Sequence, residues 1–236
     1  MFRVIFVFYL VITNIYAFEI LNDLSSCNQN SASYNNCLKN FINQLRSFIK
    51  NGNKELNLPS LNPLFIKKAD VNHSSPGTQA VVKLRNLTYF NIYTYEVLDV
   101  ESMGEKLIIN AVLDNLPVVT DYYINGDLFN TAVKGEGMSF LIFKKVEAKF
   151  TITRRIMNLR GTNFCNNFEV NLNLTASDLA VIMTGLEPGP AGVSNEFLWE
   201  NIKALIPVVT GFYGKVLEEF LQKRINGVCL EGYNSE

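Results

Sequence analysis

The chain of 236 residues carries one histidine, His73. It sits between Asn72 and Ser74, inside a glycosylation sequon, where an attached glycan would crowd it. A general base needs free access to its substrate, so His73 is a poor candidate. With no second histidine, neither a Ser-His-Asp nor a Cys-His unit can be assembled. No GxSxG elbow, Walker loop or GxGxxG loop is present. Gly135-Glu136-Gly137 comes nearest, but it lacks the lysine and the helix that should follow a phosphate loop. No His/Cys spacing suits zinc. Asp114, Asp121 and Asp127 could in principle pair for glycoside hydrolysis, yet nothing in the sequence brings two of them together. They read as solvated surface acids. The chemistry-bearing residues therefore point to binding rather than catalysis, with no cofactor and no metal.

Composition narrows the partner. A formal charge of −1 leaves no electrostatic footprint for nucleic acid. No run of like charges suggests an anionic-membrane patch. Met1-Phe2-Arg3 is followed by an apolar run from Val4 to Ile15 and then by Tyr16-Ala17. That pattern predicts a signal peptide over 1–17, cleaved after Ala17. A single secreted domain over 18–236 is expected, without stable membrane insertion. The four cysteines, Cys27, Cys37, Cys165 and Cys229, form an even set suited to an oxidising compartment. Sequons at Asn72, Asn86 and Asn173 fit the same route.

The elements follow from periodicity. Leu38, Phe41, Ile42, Leu45, Phe48 and Ile49 form one face of an amphipathic helix that should stop near Gly52. The middle of the chain alternates as strands do. Val82 and Leu84 alternate with Lys83 and Arg85. Apolar residues line both faces from Tyr89 to Val100, and fill Leu107 to Leu113. Val146 to Thr153 and Phe168 to Leu174 alternate cleanly, with sequon Asn173 on the polar face. One wet face implies an antiparallel sheet. Turns are expected at Asn125-Gly126, at Gly135-Glu136-Gly137, at Arg160-Gly161 and along the Gly185–Gly192 breaker. Asn195 to Gly227 reads as one helix of roughly 48 Å, apolar on most sides. It should be capped by Ser194 or Asn195, kinked at Pro207, and ended by Gly227. The order predicts an α+β fold in which a curved antiparallel sheet covers helices. Such a fold can enclose an elongated apolar cavity, where each buried ligand CH₂ contributes about 0.8 kcal/mol.

Further residues carry a family resemblance. They are Cys27, Cys37 and Leu38, then Gly52, then Glu55-Leu56 leading to Leu58-Pro59-Ser60-Leu61-Asn62-Pro63-Leu64. Tyr122-Tyr123-Ile124-Asn125-Gly126-Asp127-Leu128, Gly135-Glu136-Gly137, and Asn195-Glu196-Phe197-Leu198-Trp199-Glu200-Asn201 with Leu205-Ile206-Pro207 follow in order. In these the chain resembles the insect juvenile hormone-binding protein and takeout-like family, over essentially its whole length after the leader. The resemblance implies a long C-terminal helix wrapped by a strongly curved antiparallel sheet. It implies a non-enzymatic carrier of a small hydrophobic ligand, terpenoid or fatty-acid-like, in an apolar tunnel. It also implies a Cys27–Cys37 disulfide, whose short loop would remove about 2–3 kcal/mol of unfolded-state freedom. A second bond, Cys165–Cys229, is expected to tie a strand to the helix end. The expected pocket residues are Leu45, Phe48 and Ile49 from the first helix. The long helix should add Ile202, Leu205, Ile206, Val209, Phe212 and Tyr213, with Tyr122 as a polar contact. Periodicity alone leaves each of these open as packed core or cavity wall. The alternative is a secreted recognition protein, its cavity holding structural lipid, that acts through a receptor or other protein. Its mark would be an exposed apolar patch.

Overall fold

A computed structural model describes residues 27–28, 31–52, 60–159, 162–187 and 192–231, with side chains described for all but 48, 156–159, 162–166 and 227–231. The expected signal peptide, the expected Arg160-Gly161 turn and the side chains of Cys165 and Cys229 thus lie outside the described residues. Cys27 and Cys37 are joined, Cα to Cα 5.7 Å.

Two short helices come first, α1 (Tyr34–Gln44) and α2 (Arg46–Ile49). Strands β1 (Leu64–Ser75), β2 (Thr78–Tyr89), β3 (Glu96–Met103), β4 (Lys106–Leu128), β5 (Thr131–Leu159) and β6 (Thr162–Met183) follow. Helices α3 (Asn195–Glu200) and α4 (Ile202–Glu231) close the chain. All strand pairings are antiparallel, in the order β1-β2-β4-β5-β6. β4 is long enough, at 23 residues, to pair with β3 along its first half and with β2 along its second.

The sheet wraps α4. That helix touches β6 and also β1, the opposite edge; the Phe212 ring on α4 lies 4.8 Å from the His73 ring on β1. One helix can meet both edges only if the sheet curls around it.

The curl has a visible crease. Along β4 the buried side chains are Ala111 and Leu113, then Leu116 and Val118. Along β5 they are Leu141 and Phe143, then Val146 and Ala148. Along β6 they are Leu172 and Leu174, then Leu179 and Val181. Between each set, two consecutive residues face out: Asp114-Asn115, Lys144-Lys145 and Ser177-Asp178. Register sets these side by side, Asn115 against Lys144 and Lys144 against Asp178. Spending one extra residue on the outer face acts as a bulge does, bending and twisting the sheet while both halves keep an apolar lining. Lys145 adopts a φ of 47° there, and Lys144 Nζ lies 3.1 Å from Asp178 Oδ2.

Open strand edges are covered by side chains from the helices. On β6, the backbone N–H groups of Leu172, Val170 and Phe168 donate to Glu218 Oε2, Gln222 Oε1 and Asn226 Oδ1 at 2.9, 2.7 and 2.8 Å. The match is geometric: four helix residues advance about 6 Å and two strand residues about 6.6 Å. Farther along, Asn195 pairs with both the N–H and the C=O of Met183, and Trp199 Nε1 donates to the Val181 carbonyl at 2.7 Å. Asn43 of α1 does the same for Val97 on β3. Any of these N–H groups buried without its acceptor would cost about 1–3 kcal/mol.

Several expectations change. Asn125-Gly126 is not a turn but lies inside β4. Its glycine is required because a Cβ there would fall 2.0 Å from the Gln79 carbonyl oxygen on β2. The hairpin comes later, at Phe129-Asn130, both with positive φ. Gly135-Glu136-Gly137 lies inside β5, packed against the Thr184–Leu186 backbone. The Tyr89–Val100 stretch is interrupted by a 3₁₀ turn at Ile92–Thr94. The long helix is two helices. Ser194 Oγ accepts from Phe197 N as expected of a cap, but α3 stops at Asn201. The Asn201 side chain donates to the Phe197 carbonyl, and the Asn201 carbonyl accepts from Ala204 and Leu205 to start α4. Pro207 lies within α4 without ending it, and α4 runs through Gly227 to Glu231. The first helix reaches the interior facing α4 only through Ile42. It packs on β3 in a separate cluster with Leu38, Phe41, Val97, Val100 and Ala111.

Candidate functional site: two apolar chambers

Two cavities lie between the sheet and α4, one on each side of the crease. The larger, about 250 Å³, is walled on α4 by Leu217, Phe220, Leu221 and Ile225. The sheet supplies Ala111, Leu113, Ala148, Phe150, Leu172 and Leu174, and Ile42 and Tyr95 reach in from the α1 side. The smaller, about 80 Å³, is walled by Leu205, Val208, Val209, Phe212 and Tyr213 of α4 and, among others, by Tyr122, Ser139 and Val181 of the sheet. No residue lines both.

Among the described residues, neither wall contains an Asp, Glu, Lys, Arg or His. The polar groups present are neutral. Burial pushes the Tyr95 and Tyr122 phenols up to about 12. Burial raises Tyr213 to about 12 as well, with the Ser139 hydroxyl pulling the other way. The Tyr95 hydroxyl donates to the Ile42 carbonyl at 2.8 Å, and Tyr122 donates to the Thr184 carbonyl at 2.8 Å. Ser139 Oγ is buried beside Tyr213, in a geometry that falls short of a hydrogen bond, and has no other partner among the described residues. Such a lining can solvate a hydrocarbon and accept a neutral oxygen. It offers an anion nothing to pair with.

Of the residues singled out by sequence, Tyr122, Leu205, Val209, Phe212 and Tyr213 come together in the smaller chamber. Ile202 packs against the main core beside it. Ile206 belongs to an outer groove between α4 and β6, where Gly211 and Gly214 leave room beside Leu174. Leu45 packs against the α1–β3 cluster and Ile49 lies outside both chambers, because α1 and α2 rest on β3 and the 3₁₀ turn rather than under the sheet. The Phe48 side chain lies outside the described residues. Sequence reasoning missed the second half of α4. Leu217, Phe220, Leu221 and Ile225 share the periodicity of the residues chosen, and the signal that marks them as cavity wall is the small pair Ala111 and Ala148 facing each other across β4 and β5.

His73 Nε2 lies 3.0 Å from Ser75 Oγ on the outer part of β1. Among the described residues, no three His, Cys, Asp or Glu side chains gather as metal ligands would, and no helix is long and apolar enough to cross a membrane.

Residues 5–231 match the profile of a family described as haemolymph juvenile hormone binding protein. The chain belongs to that family. Juvenile hormone-binding family members bind hydrophobic ligands, in keeping with the apolar walls described above. The crystal structure of Takeout 1 from Epiphyas postvittana shares the family fold with this chain, at a TM-score of 0.54 and 13% identity, covering 84% of this chain and 88% of that one. A lipopolysaccharide binding protein gives a TM-score of 0.33 at 14% identity over 80% of this chain and 38% of that one, too slight a likeness to bear on function. No curated protein matches the chain in sequence.

Proposed function

We propose that this family member is a secreted, non-catalytic carrier of a small neutral hydrophobic molecule held inside the sheet. The observation that carries this reading is the pair of apolar chambers, walled among the described residues without one charged side chain. Secretion is supported by the apolar leader, by the Cys27–Cys37 bond and by the exposure of Asn72, Asn86 and Asn173, where glycans would point into solvent. Neutrality separates the two ligand classes that the family resemblance leaves open. A terpenoid ester or alcohol loses little on entering these walls, whereas an ionised fatty acid must leave water without a cation to meet it, at several kcal/mol. Titrating the protein at pH 8 with a fluorescent apolar probe and displacing it with methyl decanoate or decanoate tests this. The ester is expected to compete at least thirtyfold more strongly. Equal competition would refute the neutral preference, and no competition by either would refute the carrier reading.

One observation favours a second reading, recognition by a protein partner. On the outer face of the sheet, Met138, Phe140 and Ile142 of β5 and Ile182 of β6 are all exposed, with Phe140 directly opposite Ile182. If this patch docks a receptor, Phe140→Glu abolishes that docking and leaves ligand affinity unchanged. Docking that survives the substitution would remove this reading.

A further inference from the structure

We infer that Tyr213, clamped between Tyr89 and Phe143, is a length gauge that confines a bound ligand to one chamber. The inference rests on the carrier reading and adds to it a limit on ligand size. The two chambers occupy successive stretches of α4, Leu205 to Tyr213 and Leu217 to Ile225. Between them the interior is filled. Leu87, Tyr89, Val118, Phe143 and Val146 are among the least exposed residues of the protein, at 0%, and Tyr213 is at 6%. They come from β2, β4, β5 and α4, so the belt bridges the middle of the sheet and the helix. The rings lock edge to face: Tyr213 lies 6.2 Å from Tyr89 and 5.7 Å from Phe143, at 87° and 68°. The Tyr89 hydroxyl donates to the Tyr213 carbonyl at 3.2 Å, which fixes this turn of α4 against β2. Phe143 stands directly before the Lys144-Lys145 crease, where the sheet bends toward the helix. Partition and bend are therefore one feature of the fold.

The size limit can be derived. From Leu217 to Ile225 the helix rises by eight residue steps, about 12 Å. An extended alkyl chain advances about 1.25 Å per bond, given carbon–carbon bonds of about 1.5 Å at about 111°. The larger chamber then takes about ten carbons in a straight chain. A longer chain must fold back, leave its end in water, or displace the ring.

The test is a series of straight-chain alcohols from about six to eighteen carbons, each titrated against a displaceable probe on the intact protein. Wild type is expected to gain about fourfold in affinity per added CH₂ up to about ten carbons and then to stop gaining. Tyr213→Ala joins the chambers, so its affinity is expected to keep rising over the next several carbons. Tyr213→Phe keeps the ring and should break where wild type does. A wild-type series that climbs without a break to eighteen carbons would overturn the gauge while leaving the carrier reading intact. So would a Tyr213→Ala series that breaks at the wild-type length. Failure of every alcohol to bind would remove both. Should Tyr213→Ala not fold, the wild-type series alone decides.

Discussion

Replacing Ala148 with Phe is expected to lower ligand affinity at least a hundredfold while leaving the protein folded. Ala148 lies on β5 at the wall of the larger chamber, paired across the sheet with Ala111 on one side and Leu174 on the other. A phenyl ring built there enters the cavity rather than packed core, and it takes the place of about half a dozen ligand methylenes. At about 0.8 kcal/mol each, that displacement removes most of the binding energy. The stability of the empty protein should hold or rise, because the ring fills space that lacks partner atoms. Probe displacement and thermal unfolding measure the two effects side by side. Unchanged affinity would show that the larger chamber is not where ligand sits. Lost affinity with lost folding would show that the chamber is too tight to hold a ring.

The second large effect concerns backbone contacts. Gly126→Ala is expected to destabilise the fold by about 4 kcal/mol or more, read as a shift in the urea midpoint or as failure to recover folded protein. Its φ is 150°, and the new methyl carbon would lie 2.0 Å from the Gln79 carbonyl oxygen and 2.7 Å from the Ala80 Cα. Both atoms are β2 backbone, and neither can retreat without breaking the β2–β4 ladder. Gly211→Ala is the contrasting case. Its Cβ would meet nothing within 4 Å, on an exposed turn of α4. Removing backbone freedom there is expected to stabilise by about 0.5–1 kcal/mol. Equal effects at the two sites would contradict the placement of β2 against β4.

These glycines also show where sequence reading stopped. Asn-Gly is a strong hairpin signal, and it led to a turn at Gly126. The residue serves close approach of two strands instead, a demand set by tertiary structure and silent in local composition. Strand identity was legible where alternation is clean, as at Val146–Thr153 and Phe168–Leu174, because one face of the sheet is wet; β1 and the first half of β5 were not legible in this way. The crease was written in the sequence as doubled polar residues, Asp114-Asn115, Lys144-Lys145 and Ser177-Asp178, but only their alignment across three strands gives them meaning. The apolar breadth of α4 correctly announced a helix covered on several sides. It did not announce the break at Asn201, where the Phe197 carbonyl accepts from both the backbone and the side chain of the asparagine, a local arrangement that apolar periodicity does not record. Half of the candidate site was out of reach for a similar reason. Tyr213 and Leu217 are one helical turn apart and equally apolar, yet one fills the partition and the other faces a cavity. What separates them is the volume of the residues opposite, Phe143 for the first and Ala148 with Leu174 for the second, and a strand's partners cannot be read before its register is known.

The central claim is that the apolar chambers hold a neutral apolar molecule. Native mass spectrometry of the protein, purified without denaturant or detergent and followed by organic extraction, tests it most directly. The prediction is an added mass corresponding to one neutral lipid-like molecule per chain, exchangeable for an added ester or alcohol that fits one chamber. A protein at its bare mass that takes up none of those esters or alcohols would contradict the claim.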